Sequence, residues 1–303
     1  MNQDEIRAHL TGPVSSIIMP FNQDGSIDEN GLRNFIDASI VGGSKALILT
    51  AGDSHYYCMT PDEIARVTQV TCEHTAGRAM VVAADYFYGT QQAFEFAKYA
   101  KDVGADLYML LPATWGQGVT SESLANHFAT VGDIMPVMAV TAMFHEYSDE
   151  FAMETLRLAI QKSSNFMAIK DDRGGMFVLQ MCLEFHEQCA IFAGGRKEMH
   201  LSMAPFGCDG YMSNFVTFRP ELSDRYWNGV VSKDFAVSRE VIRDYEIPLW
   251  RYMMAIPKGW NAGAHALLEA YGIAGRWRRP PYTAIDDEEM EKFSTFLRSR
   301  KML

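Results

Sequence analysis

Eight short apolar runs, each followed by a stretch of helical periodicity, predict an α/β protein of the (β/α)8, or TIM barrel, class with a C-terminal helical extension. Two further observations agree. The runs show little alternation of polar and apolar residues, as expected for parallel strands buried on both faces. The length of 303 residues suits a single barrel with an appendage. An open doubly wound sheet would look similar over any three units, so the count of eight decides.

The runs are Val14–Met19, Ala46–Thr50, Met80–Ala84, Leu107–Leu111, Val137–Thr141, Phe166–Lys170, Ala190–Gly194 and Gly210–Ser213. Between them the apolar positions fall on one helical face, as with Leu32, Phe35, Ile36 and Ile40, or Leu124, Phe128 and Val131. Thr60-Pro61-Asp62-Glu63 opens the helix after the second run. Thr60 can cap, Pro61 fits the first turn and Glu63 completes a capping box. After Arg219-Pro220 the strand pattern stops, giving a barrel over residues 1–219. Residues 220–303 then form a helical segment that continues from the last barrel helix and packs on the barrel. Its helices are expected at roughly 220–256, 260–272 and 286–300, broken by Ile256-Pro257-Lys258-Gly259 and Arg279-Pro280-Pro281.

The formal net charge of −11 argues against nucleic acid or an anionic membrane as a partner, because both would repel the surface. Five scattered cysteines without a CxxC pair make poor material for a disulfide framework or a zinc knuckle, and a reducing cytoplasm is the expected location. The N-terminus MNQDEIRAHL lacks the apolar core of a secretory signal. No stretch approaches the ~18 apolar residues of a spanning helix, so a soluble protein is expected.

In such a barrel the strand C-termini and the loops after them build the site. The second strand brings Gly52, Asp53, Ser54, His55, Tyr56 and Tyr57, and the third Asp85 and Tyr86. The fourth contributes Thr114 and Trp115, and the fifth Thr141, His145 and Tyr147. Lys170, Asp171 and Asp172 follow on the sixth, Gly194, Gly195 and Arg196 on the seventh, Ser213 and Asn214 on the eighth. Lys170 stands out because it ends an apolar run, where desolvation disfavours an ammonium and favours the neutral amine that condenses with a carbonyl. The alternative is a structural lysine paired with Asp171 or Asp172.

Asn165-Phe166-Met167-Ala168-Ile169-Lys170-Asp171 resembles the Schiff-base strand of the dihydrodipicolinate synthase/N-acetylneuraminate lyase family, the class I aldolase barrels. Met19-Pro20-Phe21 followed by Asp24-Gly25-Ser26-Ile27-Asp28 is similar to the same family, as are Gly104-Ala105-Asp106, Gly207-Cys208-Asp209-Gly210 and Arg219-Pro220-Glu221. The resemblance runs in register over the barrel and into the tail. It implies that Lys170 forms an imine with pyruvate or a related 2-oxo acid, without metal or other cofactor. It also implies a homo-oligomer, a dimer or a tetramer.

The chain also departs from the family. Where the family has Gly-Thr-Thr-Gly-Glu after the second strand, this chain has Ala51-Gly52-Asp53-Ser54-His55. Gly52 and Ser54 can still offer an amide and a hydroxyl to a substrate carboxylate. Asp53 replaces the proton-relay threonine, and would repel that carboxylate unless protonated or paired. Where the family has Tyr-Asn-x-Pro-x-Arg after the fifth strand, this chain has Val140-Thr141-Ala142-Met143-Phe144-His145. Val140 cannot move a proton, and His145 stands where dihydrodipicolinate synthases carry the arginine for their second substrate. The expectation is therefore a divergent lyase, aldolase or dehydratase, on a sugar-derived 2-oxo acid, and not dihydrodipicolinate synthase itself.

Lys170 is expected as the nucleophile, with Asp53 and His145 moving protons. Gly52, Ser54, His55, Tyr86, Thr141, Gly194 and Ser213 are expected to bind substrate. Each has a plainer alternative: a loop histidine for His55 and His145, a barrel-filling side chain for Thr141, a tight turn for Gly194-Gly195-Arg196. Two rival readings of the whole remain: a metal-dependent enzyme using His55, Asp85 and His145, and a non-catalytic ligand-binding relative on the same scaffold.

Overall fold

The structure is a computed structural model that describes residues 1–112 and 118–303. Thr114 and Trp115 lie outside the described residues. Eight parallel strands close into a barrel in chain order. They are β1 (Gly12–Ser16), β2 (Ala46–Ile48), β3 (Met80–Ala84), β4 (Leu107–Leu110), β5 (Val137–Val140), β6 (Phe166–Asp171), β7 (Ala190–Ala193) and β8 (Gly210–Met212). Every expected run overlaps one. The absence of alternation has its cause here: the residues of β3 to β7 are buried throughout, between the barrel interior and the helix ring.

The first strand starts and ends earlier than the apolar run. Ile17 to Met19 have left the ladder, although the Ile17 amide still donates to the Ile48 carbonyl at 2.9 Å. They lead into a turn where Asp28 caps the helix Glu29–Val41, its carboxylate accepting from the Gly31 amide. The capping box at Thr60 forms as the sequence requires, the Thr60 amide donating to Glu63 at 2.9 Å. Such a cap is worth about 1 kcal/mol. Glu63 also receives Arg279 from the C-terminal segment at 2.7 and 2.9 Å, tying the tail to the barrel.

An N-terminal helix, Gln3–Leu10, precedes the first strand. Arg7 reaches from it to Asp209 at 2.8 Å and to the Cys189 carbonyl at 2.9 Å, just ahead of β8 and β7. It therefore plugs the end of the barrel opposite the lysine.

The tail differs from one long helix over 220–256. It breaks after Pro220–Val231, where Lys233 adopts a left-handed φ of 61° and Asp234 caps Phe235–Val241. A π-helical turn, Ile242–Glu246, follows before Ile247–Met254. Pro248 explains the widened turn, because it has no N–H to continue the α-helical ladder. Helices Trp260–Ala270 and Asp287–Ser299 lie where expected. No described helix is long and apolar enough to cross a membrane.

Candidate active site

Lys170 leaves β6 one residue from its end, between Val140 of β5 and Phe192 of β7. Its side chain is almost fully enclosed, yet it lines a cavity of about 1090 Å³ at the C-terminal ends of the strands. The Nζ contacts the Asp172 carboxylate. The lysine thus has an acidic partner, Asp172, and at the same time borders an open cavity.

The turn after β6 is what aims Asp172. Thr141 donates to the Asp171 carboxylate at 2.6 Å, and its hydroxyl accepts from the Asp172 amide at 2.9 Å and the Arg173 amide at 3.2 Å. The second Asp171 oxygen accepts from Gly174 at 3.0 Å, and Gly174 takes φ 73°, which favours glycine. Burial raises the Asp171 carboxyl above its usual range, while Thr141 and the turn amides pull the other way. Thr141 does not line the cavity; it positions a residue that does. Across from it Gly194, with Gly195, brings bare backbone close to the lysine. A Cβ at 194 would stand 2.3 Å from the Asp172 carboxylate.

The loop after β2 forms another wall through Thr50, Ala51, Gly52 and Asp53. The Thr50 hydroxyl accepts from the Asp53 amide at 2.9 Å. Burial raises the Asp53 carboxyl above its usual range, opposed by the Ser16 hydroxyl and the Lys170 ammonium. Ser54 turns inward instead, donating to the Ile17 carbonyl at 2.8 Å and accepting from the Thr50 amide at 3.1 Å, so it braces the loop rather than lining the cavity.

His55, Tyr86 and His145 also lie outside the cavity wall. His55 adopts a left-handed φ of 55° that sends its ring into a cluster with Phe21, Tyr57, His265 and Tyr282. Arg278 donates to its Nε2 at 3.3 Å, and burial together with that guanidinium lowers its pKa to about 4. The short 3-10 turn Thr141–Phe144 carries His145 out to the surface. Tyr86 packs edge-on against Phe87 at 5.3 Å, and Phe87, not Tyr86, reaches the cavity. Asp85 is buried under Tyr108, whose hydroxyl donates to it at 2.6 Å. His55, Asp85 and His145 thus do not converge, and among the described residues no three His, Cys, Asp or Glu gather to hold a metal.

The barrel holds a second buried lysine that the sequence does not mark out. Lys197 follows Arg196 and is fully enclosed, its Nζ donating to Ser213 at 2.9 Å and to Glu246 at 3.2 Å. Its backbone N–H donates to the other Glu246 oxygen at 2.8 Å. Glu246, from the π-helical turn, faces the cavity, as do Ser213 and Asn214. Burial pushes the Glu246 carboxyl up to about 7 against the pull of Lys197, and lowers the Lys197 ammonium. In sequence Lys197-Glu198 looks like an ordinary charged helix start.

A closed parallel barrel with an enclosed amine and acidic groups around one cavity at its C-terminal mouth belongs to the class of (β/α)8 barrel enzymes. The chain is a member of the dihydrodipicolinate synthetase family, which it matches over residues 9–300. It is an enzyme of the class I aldolase and lyase type found in that family. A DapA-like lyase of Rhizobium meliloti, itself uncharacterized, is 25% identical over 301 residues, covering 98% of both chains. The 4-hydroxy-tetrahydrodipicolinate synthase of Bartonella bacilliformis is 27% identical over 252 residues, 82% of this chain and 84% of that one. The crystal structure of N-acetylneuraminate lyase from Fusobacterium nucleatum superposes with a TM-score of 0.81 at 17% identity, covering 96% of this chain and 99% of that one, which is a likeness of fold.

Proposed function

We propose that Lys170 condenses with the ketone of a small 2-oxo acid and that the enzyme is a lyase, an aldolase or a dehydratase, other than dihydrodipicolinate synthase. The observation that carries this reading is the position of the amine: enclosed at the end of β6, yet on the wall of a cavity with room for a guest. Handing one proton to Asp172 frees the Nζ lone pair to attack C2, and loss of water from the carbinolamine leaves the imine. The imine then accepts the electron pair of a breaking bond.

Asp53 and Gly52 fit the substrate carboxylate. A neutral Asp53 carboxyl, favoured by its burial, donates a hydrogen bond where an ionised one would repel. Asp53 and Asp172 are then the groups placed to move protons beside Lys170, in place of a tyrosine at Val140. His145 is too far out on the surface to hold a second substrate in this cavity, which argues against dihydrodipicolinate synthase.

The test is reductive trapping. Incubation with pyruvate and cyanoborohydride should add one reduced adduct to the intact mass, mapped by peptide analysis to Lys170 and absent in Lys170→Ala. Adduct formation elsewhere, or none with any 2-oxo acid, would remove the reading.

A further inference from the structure

Resting on that reading of Lys170, we propose that the 2-oxo acid carries an apolar, ring-bearing substituent beyond its third carbon, seated between the barrel mouth and Trp250 and Trp260. Two observations carry this: the size of the cavity and the kind of residue that lines its far side.

A cavity of about 1090 Å³ lies just above the ~300–1,000 Å³ range of pockets for drug-sized ligands, and a three-carbon acid fills a small part of it. The far wall comes from the helices Ile247–Met254 and Trp260–Ala270. It presents Leu249, Trp250, Met253, Trp260, Ala264 and Leu267. The rings of Trp250 and Trp260 stand 5.4 Å apart, tilted by 51°, and both are only half-buried, so they can take a guest ring edge-on or offset. The barrel side adds Met109, Met143, Met199 and Met212, whose flexible thioethers adapt to an aromatic group.

Several polar groups on the barrel side of the wall are already engaged, at least in part. Glu246 and Ser213 hold Lys197. Arg173 pairs with Asp149 at 2.8 Å and donates to the Tyr147 carbonyl at 2.9 Å. Arg196 pairs with Glu198 at 3.1 Å, and Ser202 donates to the Met199 carbonyl at 2.7 Å. Arg173 Nη1, Glu198 Oε2 and Asn214 Oδ1 are buried without a partner among the described residues, so the barrel side of the wall keeps three open polar positions. Among the described residues the far wall offers no such position: against Leu249, Trp250, Met253, Trp260, Ala264 and Leu267 a sugar-derived tail would give up its water for few partners, which is unfavourable, whereas an apolar tail gains from leaving water.

In the cleavage direction the C3–C4 bond of the imine breaks and its electron pair moves into an enamine. The C4 hydroxyl loses its proton to a base and departs as the oxygen of an apolar aldehyde. Protonation at C3 and hydrolysis of the imine by water release pyruvate and restore Lys170.

The test compares trapping of the full chain by cyanoborohydride with three probes over a concentration series: pyruvate, 4-phenyl-2-oxobutanoate and a six-carbon polyhydroxylated 2-oxo acid. Adduct at Lys170 is expected to reach half its maximum at a concentration at least about tenfold lower for the phenyl acid than for pyruvate. Trp250→Ala should erase most of that preference, as should Trp250→Leu if circular dichroism shows the alanine variant unfolded. If the phenyl acid shows no preference over pyruvate, or the polyhydroxylated acid outdoes it, the apolar substituent is overturned while the imine at Lys170 stands. If no probe adds mass at Lys170, the underlying reading falls, and this inference with it.

Discussion

Gly194 leaves the space that the Lys170 amine occupies: a Cβ at position 194 would stand 2.6 Å from Nζ and 2.7 Å from Cε. No real Cβ makes such contacts, and the backbone there is fixed, because the Gly194 amide donates to the Asp171 carbonyl at 2.7 Å. The glycine is therefore needed for clearance around the Lys170 amine, and not for any unusual backbone angle.

Gly194→Ala should consequently push the lysine off its position without unfolding the barrel. Displacement of a reacting group by about 1 Å can lower a rate some hundredfold. We expect the rate of trapping with pyruvate to fall by about that factor while the far-UV circular dichroism spectrum is kept. A variant that traps at the original rate would show that the amine has room the structure does not give it.

Thr141 supplies the next prediction. Its hydroxyl joins Asp171 to the amides of Asp172 and Arg173, so Thr141→Val takes from the buried Asp171 carboxylate its hydroxyl donor and from the Asp172 amide its acceptor, while the Arg173 amide keeps Asp171 at 3.3 Å. The loss of stability should be about 1–3 kcal/mol by urea denaturation. Because Asp172 would also lose its aim, trapping at saturating pyruvate should slow more than the half-saturating concentration changes. Thr141→Ser, which restores the hydroxyl, should recover the trapping rate. A purely structural threonine would lower stability and leave that rate alone.

The barrel was legible in the sequence because burial on both faces writes itself into a strand as an unbroken apolar run. Lys170 was legible for the same reason: a charge closing such a run is an anomaly. The directions of loop side chains were not. His145 looks like a site residue until the turn at Thr141–Phe144 carries it to the surface, and Ser54 and His55 face away through hydrogen bonds and a left-handed φ that no local pattern announces. Glu246 meets Lys197 across 49 residues through a π-turn. Pro248 hinted at an irregularity there, but nothing in the sequence named the partner.

That buried pair predicts a stability effect that depends on pH. Glu246 holds its proton up to about 7 in the folded protein, against a usual 4.5. The unfolded chain releases that proton first, so this group lowers stability as pH rises through the window between those values. Removing the opposing ammonium raises the folded carboxyl further and leaves its charge unpaired above the window. Lys197→Met should therefore cost about 3 kcal/mol or more at pH 8.5, and distinctly less at pH 5.5, where Glu246 is neutral. Urea denaturation at both values is the measurement, and a cost independent of pH would show that the pair is not coupled as drawn.

Four buried histidines set the behaviour in acid. His55 and His127 are lowered to about 4 and His200 to about 3, each chiefly by burial, and His265 lies well below its usual 6.5. Between pH 6.5 and 4 the unfolded chain takes up protons at these positions that the folded chain refuses, so their contribution is present above 6.5 and is lost as pH falls. Near pH 5 four such groups give a slope of up to roughly 5 kcal/mol per pH unit. Asp85 and Glu246, both raised to about 7 by burial, act in the opposite sense and reduce the net slope. His265, stacked on Phe21 at 6.2 Å, can be exchanged for an apolar ring. His265→Phe should reduce the loss of stability between pH 6.5 and 5 by about 1–2 kcal/mol in urea denaturation. An unchanged loss would mean that His265 accepts a proton in the folded state after all, and that its surroundings are wetter than the packing around Phe21 and His55 allows.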